Sequence, residues 1–275
     1  MTTPNVTNER KNILVKFFLI AFSITWLLQL PRVLADNQLA QVPEFLLSLS
    51  IIAPIGPFIA AFYLTAKAGG REGMKSLWKR GLDFTFEKKW LAIVFLVPVI
   101  TSGLTILFIN LLGGKILWEL QPLPLLLAVP IFIVIFLTQA LPEEYGWRGF
   151  ALDRLQSRWN ALAASLILGF LWGLWHLPLH FMSGTTQEII PVAEFILKQM
   201  VGAIFFTWIY NNTNRNVFLA ILFHAIWNVF GGLVPYWVTS QGRWVNFGVE
   251  LILALIIVAV YGAKTLARDK KVTAS

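Results

Sequence analysis

Six polar side chains, among them two carboxylates and two imidazoles, fall in three short stretches of otherwise apolar sequence. They are Glu143, Glu144, Arg148, His176, His224 and Asn228. Charged groups are costly in hydrocarbon, so at membrane depth they usually face a polar cavity or take part in a reaction. Carboxylates and imidazoles together can activate water. The pattern therefore predicts a hydrolytic site within a membrane protein.

The two neighbouring glutamates differ in their predicted partners. On a helix, Glu144 and Arg148 are four residues apart with the acid first, which is the favourable order for an ion pair. Glu143 points about 100° away around the helix and has no such cation. A structural interpretation, in which both acids begin a helix after Pro142, explains Glu144 and Arg148 well. Glu143 is therefore the predicted chemical group.

A depth argument links His176 to Glu143. The polar turn between the fourth and fifth apolar segments is centred near residues 158–160, and both side chains are equally far from it along the chain. Each would lie about 24 Å from the turn if the segments are helical. A lone intramembrane histidine is more simply explained by a hydrogen bond to a neighbouring helix. Because His176 is expected at the same depth as Glu143, which has no predicted cation partner, we favour a site that both residues share.

His224 and Asn228 are four residues apart and so lie on one face of a helix. An imidazole and an amide on one face can hold a polarised oxygen. Hydrogen bonding between helices is the competing interpretation, and for Asn228 alone it is at least as good. His180 follows His176 by one turn but lies beyond Pro178, and we interpret it as structural.

Other hydrolytic chemistries lack their residues in this sequence. There is no cysteine, which excludes thiol nucleophiles and thiolate metal sites. No His-Glu-x-x-His occurs to place two zinc ligands on one helical turn. No Gly-x-Ser-x-Gly nucleophile elbow occurs either. The hydrolytic chemistry that remains is a carboxylate acting with imidazoles on a water molecule.

The elements that position these residues are predicted to be transmembrane helices. Hydrophobic residues make up 57% of the chain and charged ones 13%, against about 25% charged in a soluble domain. Segments of about 20 apolar residues can cross a bilayer. The predicted spans cover residues 12–34, 45–66, 90–112, 123–145, 160–182, 189–211, 216–236 and 245–266. We expect an all-α bundle of about eight spans, forming one membrane domain over residues 1–275.

The basic residues predict the orientation of the bundle. Of the 22 Lys and Arg, 18 fall on the side that carries both termini. The positive-inside rule then makes both termini cytoplasmic. The net charge of +8 is thus a topology signal, with a weak attraction to lipid headgroups, and does not indicate nucleic acid.

Two further polar features receive structural interpretations. The segment Gly69–Lys89 interleaves aromatic and basic residues, which favours an amphipathic stretch in the membrane interface. A lid or substrate dock is the alternative for this segment. Glu194 and Lys198 are four residues apart in the sixth span and are predicted to pair with each other.

The three stretches together resemble the CPBP family of CAAX proteases and bacteriocin-processing enzymes, which includes the type II CAAX prenyl endopeptidases. The resemblance rests on Glu143-Glu144-x-x-x-Arg148, on the span ending in His176 and on His224-x-x-x-Asn228, and it covers about residues 120–235. The family usually has Phe four residues before the histidine of its second motif. This chain has Trp172 there, a departure expected to change pocket shape more than chemistry.

The resemblance implies a role for each residue. Glu143 would be the catalytic glutamate, His176 would help it activate water, and His224 with Asn228 would line the oxyanion site. Glu144 and Arg148 would support them from a second layer. Glu143, His176 and His224 are also zinc ligands in type, with an open fourth position for water. Glu143 acting as a plain general base needs the same residues, so the zinc question stays open.

The function that the resemblance implies is that of an integral-membrane endopeptidase, and the sequence leaves its substrate open.

 The substrate would be a membrane-associated peptide or a lipidated protein of the prenylated CAAX type, and the bilayer itself the other partner. The enzyme would be of the metalloendopeptidase type if zinc binds, in a bacterial cell membrane. One alternative is a non-enzymatic membrane protein, such as a bacteriocin self-immunity factor or scaffold. A transporter with a Glu/His proton relay is another, but the two related halves typical of transporters are absent from the sequence.

Overall fold

The computed structural model describes residues 4–120 and 123–268, with side chains from residue 12 onward. Lys270 and Lys271, which contribute to the predicted orientation, lie outside these ranges. Within them, eight long helical segments account for most of the chain and confirm the all-α prediction. They are α1 (Pro4–Asp36), α2 (Gly56–Arg80), α3 (Lys88–Leu111), α4 (residues 128–156), α5 (Ala161–Trp175), α6 (Val192–Asn212), α7 (Val217–Leu233) and α8 (Ser240–Tyr261).

The helices have the length and composition of a multi-pass membrane protein. Within the described residues, seven helical stretches are long and apolar enough to cross a bilayer, and α7, with 17 residues, is shorter. Large apolar side chains such as Leu19, Leu126 and Val129 are exposed, as lipid-facing residues should be. The polytopic helical bundle is therefore confirmed, whereas the cytoplasmic placement of the termini stays a prediction.

Local sequence signals fix where the site-bearing helices begin. The side chain of Asn160 accepts a hydrogen bond from the Ala163 amide at 2.8 Å and caps α5. Asn216 does the same for α7, accepting from the Leu219 amide at 2.8 Å. Asparagine is among the best N-cap residues because its side-chain oxygen satisfies an otherwise unpaired backbone N–H. The predicted turn between the fourth and fifth spans is found where Asn160 caps α5.

The helix α4 is irregular on both sides of the two glutamates. An α-helical piece, Leu141–Gly146, lies between two π-helical turns, Phe136–Ala140 and Trp147–Leu152. Pro142 has no backbone N–H, so it cannot continue the regular ladder of hydrogen bonds at this point. Such π turns occur frequently at functional sites. They shift the register of α4 relative to a straight α-helix.

Small residues allow α5 to lie close to α6. A Cβ atom at Gly169 would stand 2.6 Å from the carbonyl oxygen of Gln199, and one at Gly173 would stand 3.0 Å from Cα of Ile196. Gly169 and Gly173 are four residues apart, the small-xxx-small spacing that brings membrane helices together. This close contact holds the α5 side chains at a fixed distance from the rest of the bundle.

The helices α1 and α2 cover the other side of α4. The indole N–H of Trp26 donates to the Trp175 carbonyl at 3.0 Å and so connects α1 with the end of α5. Phe17 in α1 contacts Trp147 edge to face, with ring centroids 5.6 Å apart. The backbone of α2 at Pro57 lies so near Gly146 that a Cβ at this glycine would have no space. The glutamate-bearing piece of α4 is thus enclosed by α1, α2 and α5.

The predicted pairing of Glu194 with Lys198 is wrong. Glu194 instead accepts a hydrogen bond from Arg243 at 2.7 Å, and Lys198 lies 3.3 Å from Glu250 and donates to the Tyr236 hydroxyl at 2.8 Å. A pair four residues apart on a helix is worth only about 0.2–0.5 kcal/mol. Helix α8 packs against α6 and carries Arg243 and Glu250, and these two residues outcompete the pair within α6.

The segment Gly69–Lys89 packs on the protein rather than extending away from it. Gly70 has a positive φ of 56°, which breaks α2 in its middle and lets the chain change direction. Beyond this break, the ring of Trp78 stacks on Tyr145 with centroids 5.3 Å apart, and the Tyr145 hydroxyl donates to the Trp78 carbonyl at 2.7 Å. The segment therefore contacts α4 beside the glutamates, and its place in the membrane interface stays a prediction.

The close α5–α6 contact predicts that Gly169→Ala destabilises the protein by about 1–3 kcal/mol, because the added methyl overpacks the seam. The control is Gly103→Ala in α3, where the structure provides open space within 4 Å. That change should be neutral or slightly stabilising, since Ala forms helix better than Gly. Thermal unfolding of both variants in one detergent measures the difference. Equal midpoints would contradict the proposed close packing.

Candidate active site

The predicted site residues come from three helices that converge in the bundle. Glu143, Glu144 and Arg148 lie on α4, His176 directly follows α5, and His224 with Asn228 lies on α7. The two glutamates and the histidine of α7 are 3%, 0% and 4% exposed. Buried ionisable groups need partners, so the hydrogen bonds of each decide what it can do.

Glu144 is the centre of a buried ion-pair network. Nη1 of Arg148 donates to its two oxygens at 2.7 and 2.9 Å, as the helix spacing predicts. Nδ1 of His224 lies 2.8 Å from Oε1 of the same carboxylate. The contact to His224 crosses from α7 to α4 and could not be read from spacing along one helix. Glu144 thus connects the first and third motifs.

Arg148 is enclosed by aromatic rings as well as by its carboxylate. Its guanidinium lies 3.9 Å from the ring centroid of Phe206 and 4.7 Å from that of Trp172. Its Nε and Nη2 atoms have no hydrogen-bond partner among the described residues. A cation over desolvated ring faces is stabilised by the ring quadrupole. Arg148 therefore contributes to the packing around the two glutamates, and its supporting role in a reaction stays a prediction.

Glu143 is held by neutral donors. The indole N–H of Trp172 donates to Oε2 at 2.8 Å, and that of Trp147 donates to the same oxygen at a longer 3.4 Å. No described residue donates a hydrogen bond to Oε1, and no lysine or arginine in the described ranges pairs with this carboxylate. The predicted contrast between the two glutamates is therefore present in the geometry. Sequence reasoning missed both indole donors, although Trp147 is four residues after Glu143.

His176 is oriented by the backbone of its own helix. Its Nδ1 lies 2.8 Å from the carbonyl oxygen of Trp172. A carbonyl can only accept, so the proton of the imidazole sits on Nδ1 and Nε2 has a free lone pair in the neutral ring. The ring is packed between Trp175 and Phe195, with centroids 4.7 and 5.2 Å away. His176 is thus prepared to accept a proton or a hydrogen bond through Nε2.

The α5 side chain that contacts Glu143 comes from the turn before His176. The α5 side chain bonded to Glu143 is Trp172, which precedes His176 by four residues. The π turn Trp147–Leu152 lies between Glu143 and the α4–α5 turn. Because π turns use more residues for each turn, α4 advances less along its axis than an ideal α-helix. This shortening favours α5 residues before His176 as neighbours of Glu143, and the level placement of Glu143 and His176 stays a prediction.

Asn228 lies one turn after His224 on α7 and is half-buried. The structure gives its amide no hydrogen bond to the described part of the chain, so its N–H groups can meet a ligand. His180, interpreted as structural, has Nδ1 3.0 Å from the Ile190 carbonyl and its ring 5.3 Å from that of Phe195. The bond between His180 and the loop before α6 agrees with that interpretation.

The predicted zinc ligands are suitable in type but do not form a ready metal site. Each imidazole uses Nδ1 in a hydrogen bond, the arrangement that usually orients a metal-binding histidine. Across residues 4–120 and 123–268, however, no three histidine or carboxylate side chains stand together as a group that could hold a metal ion. Zinc binding by Glu143, His176 and His224 therefore stays a prediction, and no chemical step below depends on it.

Comparison with known proteins places all these residues in one matched region. Residues 125–230 match the family model described as type II CAAX prenyl endopeptidase Rce1-like. The chain is similar to CAAX prenyl protease 2 of Methanococcus maripaludis, with 30% identity over 213 residues that cover 74% of this chain and 78% of that protein. It is also similar to lysostaphin resistance protein A of Staphylococcus haemolyticus, with 23% identity over 176 residues, 63% of this chain and 46% of that protein.

The buried network predicts that Arg148→Met destabilises the protein by about 3–5 kcal/mol, since it leaves the Glu144 carboxylate without its main counter-charge. The matched control is Arg32→Met, which breaks another Arg–acid pair four residues apart. Arg32 is 37% exposed at its side chain, so its pair with Asp36 should contribute only about 0–1 kcal/mol. Denaturant unfolding in micelles compares the variants. A similar loss in both would show that burial does not strengthen the α4 pair.

Proposed function

The chain belongs to the type II CAAX prenyl endopeptidase Rce1-like family, and we propose that it is an intramembrane endopeptidase that hydrolyses a peptide bond with a water molecule activated by Glu143. The observation that carries this proposal is the difference between two adjacent buried glutamates. Glu144 has its oxygens occupied by Arg148 and His224, whereas Glu143 keeps Oε1 open.

In the proposed reaction, Glu143 is the general base. Its carboxylate takes a proton from water as the water oxygen adds to the carbonyl carbon of the scissile bond. His176 orients the same water by accepting its second hydrogen at Nε2. The hydrogen bond from His176 Nδ1 to the Trp172 carbonyl supports this role, because it fixes the position and tautomer of the ring.

The tetrahedral intermediate carries a negative oxygen that needs donors. The Asn228 amide supplies one, and His224 supplies a second from Nε2 when its ring holds both protons. The Glu144 carboxylate accepts a hydrogen bond from Nδ1 of that ring and stabilises its positive charge. Collapse of the intermediate breaks the C–N bond, and the proton held by Glu143 passes to the leaving nitrogen. The products are a carboxylic acid and an amine, and transfer of the remaining proton between them gives a carboxylate and an ammonium group.

We propose a membrane-associated peptide, such as a lipidated C-terminal segment, as the substrate. The site is enclosed in a helical bundle whose outer surface is apolar, and a substrate anchored in the bilayer reaches such a site without leaving the membrane. The similar protein of Methanococcus maripaludis is named a CAAX prenyl protease, which supports a prenylated end as the anchor. Cleavage would take place on the cytoplasmic side if the predicted orientation holds.

A binding role without turnover is the second candidate. The similarity to a lysostaphin resistance protein favours it, because that name describes protection and not hydrolysis. In such a protein the ion-pair network would stabilise helix packing, and Glu143 would have no chemical task. The two candidates differ in what a change at Glu143 should do.

Glu143→Gln is expected to lower the rate of peptide hydrolysis by about 100- to 10,000-fold, the usual contribution of a general base. The measurement is cleavage of a quenched, lipidated C-terminal peptide by purified protein in liposomes. Substrate binding should persist in this variant, because glutamine keeps the size of the side chain. His224→Ala should also lose most of the turnover.

Glu87→Gln provides the control for the same assay, since Glu87 is an exposed acid that pairs with Lys89 at the surface. Its rate should equal that of the unmodified protein. Full hydrolysis by Glu143→Gln would refute the proposed mechanism. Binding of the peptide by the unmodified protein without any cleavage would support the second candidate.

The zinc prediction is tested in the same assay with a chelator and by metal analysis of the purified protein. Catalysis through zinc requires that chelation stops cleavage, that added zinc restores it, and that about one zinc is bound for each chain. His224→Ala and Glu143→Gln should then lose the metal as well. Cleavage that continues unchanged in chelator, with no zinc in the protein, would rule out this requirement and leave Glu143 as a plain base.

A further inference from the structure

We propose that Trp172 is a positioning residue that aims the Glu143 carboxylate and fixes the His176 imidazole at the same time. This inference rests on the proposed function, because it assigns Trp172 a task in that reaction. It differs from the expectation that a tryptophan at this position alters the shape of the pocket more than its chemistry.

Of the two hydrogen bonds that Glu143 accepts, the one from the indole N–H of Trp172 is the shorter. This N–H donates to Oε2 at 2.8 Å, against 3.4 Å for the indole of Trp147. Hydrogen bonds to an ionised acceptor are stronger than neutral ones, and they are also more directional than simple packing. With Oε2 held in this way, Oε1 is the oxygen left to receive a proton from water.

The main chain of Trp172 orients the second group, which is the imidazole of His176. The Trp172 carbonyl accepts from Nδ1 of His176 at 2.8 Å, which leaves Nε2 as the acceptor in the neutral ring. The side chain and the carbonyl of Trp172 therefore orient the two groups that the proposed reaction places on the water. A change in the position of this residue would move both.

Its surroundings leave the Trp172 ring little freedom. The ring lies under the Arg148 guanidinium at 4.7 Å and contacts His224 and Phe206 edge to face, with centroids 5.4 Å away in each case. It is 4% exposed. A buried aromatic ring fixed by neighbours on several sides presents its N–H in one direction only. The donor is thus preorganised for the carboxylate before a substrate binds.

The kinetic test uses Trp172→Phe, which keeps an aromatic ring and removes only the N–H and the second ring. We expect kcat to fall about 10- to 100-fold, the effect of losing one hydrogen bond to a charged group, with KM nearly unchanged. The control is Trp208→Phe. The indole N–H of Trp208 is buried and has no hydrogen-bond partner in the described part of the chain, so this change should leave kcat as it is.

A second measurement reports the hydrogen bond without requiring turnover. In protein labelled with ¹⁵N-tryptophan, the indole N–H signal that disappears in Trp172→Phe belongs to Trp172. Glu143→Gln should move that signal toward lower proton shift, because an amide oxygen is a weaker acceptor than a carboxylate. The signal of Trp208, assigned in the same way, should stay in place.

The outcomes separate the positioning role from the proposed function. An unmoved Trp172 signal in Glu143→Gln, or full kcat in Trp172→Phe, would overturn the positioning role. A moved signal in a protein that cleaves no lipidated peptide would overturn the proposed function and with it the task of Trp172, while leaving the hydrogen bond established. A moved signal together with a lower kcat at constant KM supports both.

Discussion

The buried pair of Glu144 and Arg148 is the interaction on which the rest of the site depends. An isolated charge in a low-dielectric interior is strongly unfavourable, so each member needs the other and needs further contacts. Glu144 obtains a second partner in His224, and Arg148 lies over the rings of Phe206 and Trp172. These contacts connect α4 to α5, α6 and α7. A change at any of the four helices would therefore disturb the same carboxylate.

The need of a buried charge for a partner also distinguishes the two adjacent glutamates, Glu143 and Glu144. Their side chains point to different sides of α4, so the arginine one turn later can reach only Glu144. Glu143 faces α5 and meets the N–H of Trp172. Nη1 of Arg148 donates to both oxygens of the Glu144 carboxylate, whereas the indole N–H groups at Glu143 both donate to Oε2 and leave Oε1 open. The chemistry proposed for Glu143 follows from which helix it faces.

The sequence predicts what depends on neighbours along one helix, and fails where distant helices decide. The Glu144–Arg148 pair and the turn between the fourth and fifth spans follow from spacing and residue type. The partners of Lys198 and the contact between His224 and Glu144 depend on how helices cross, which no spacing within one helix contains. The π turns of α4 also escaped prediction, because Pro142 signals an irregularity without giving its extent.

The π turns of α4 affect where Glu143 lies along the helix. An ideal α4 would separate Glu143 from the α4–α5 turn by about 24 Å, and the π turn Trp147–Leu152 shortens that distance. On α5, Trp172 contacts Glu143 through its indole N–H, and the carbonyl of the same residue holds His176. In the proposed reaction, Oε1 of Glu143 and Nε2 of His176 are both acceptors, and a water molecule has two hydrogens to donate to them. The backbone of α4 thereby helps to set the direction from which Glu143 meets that water.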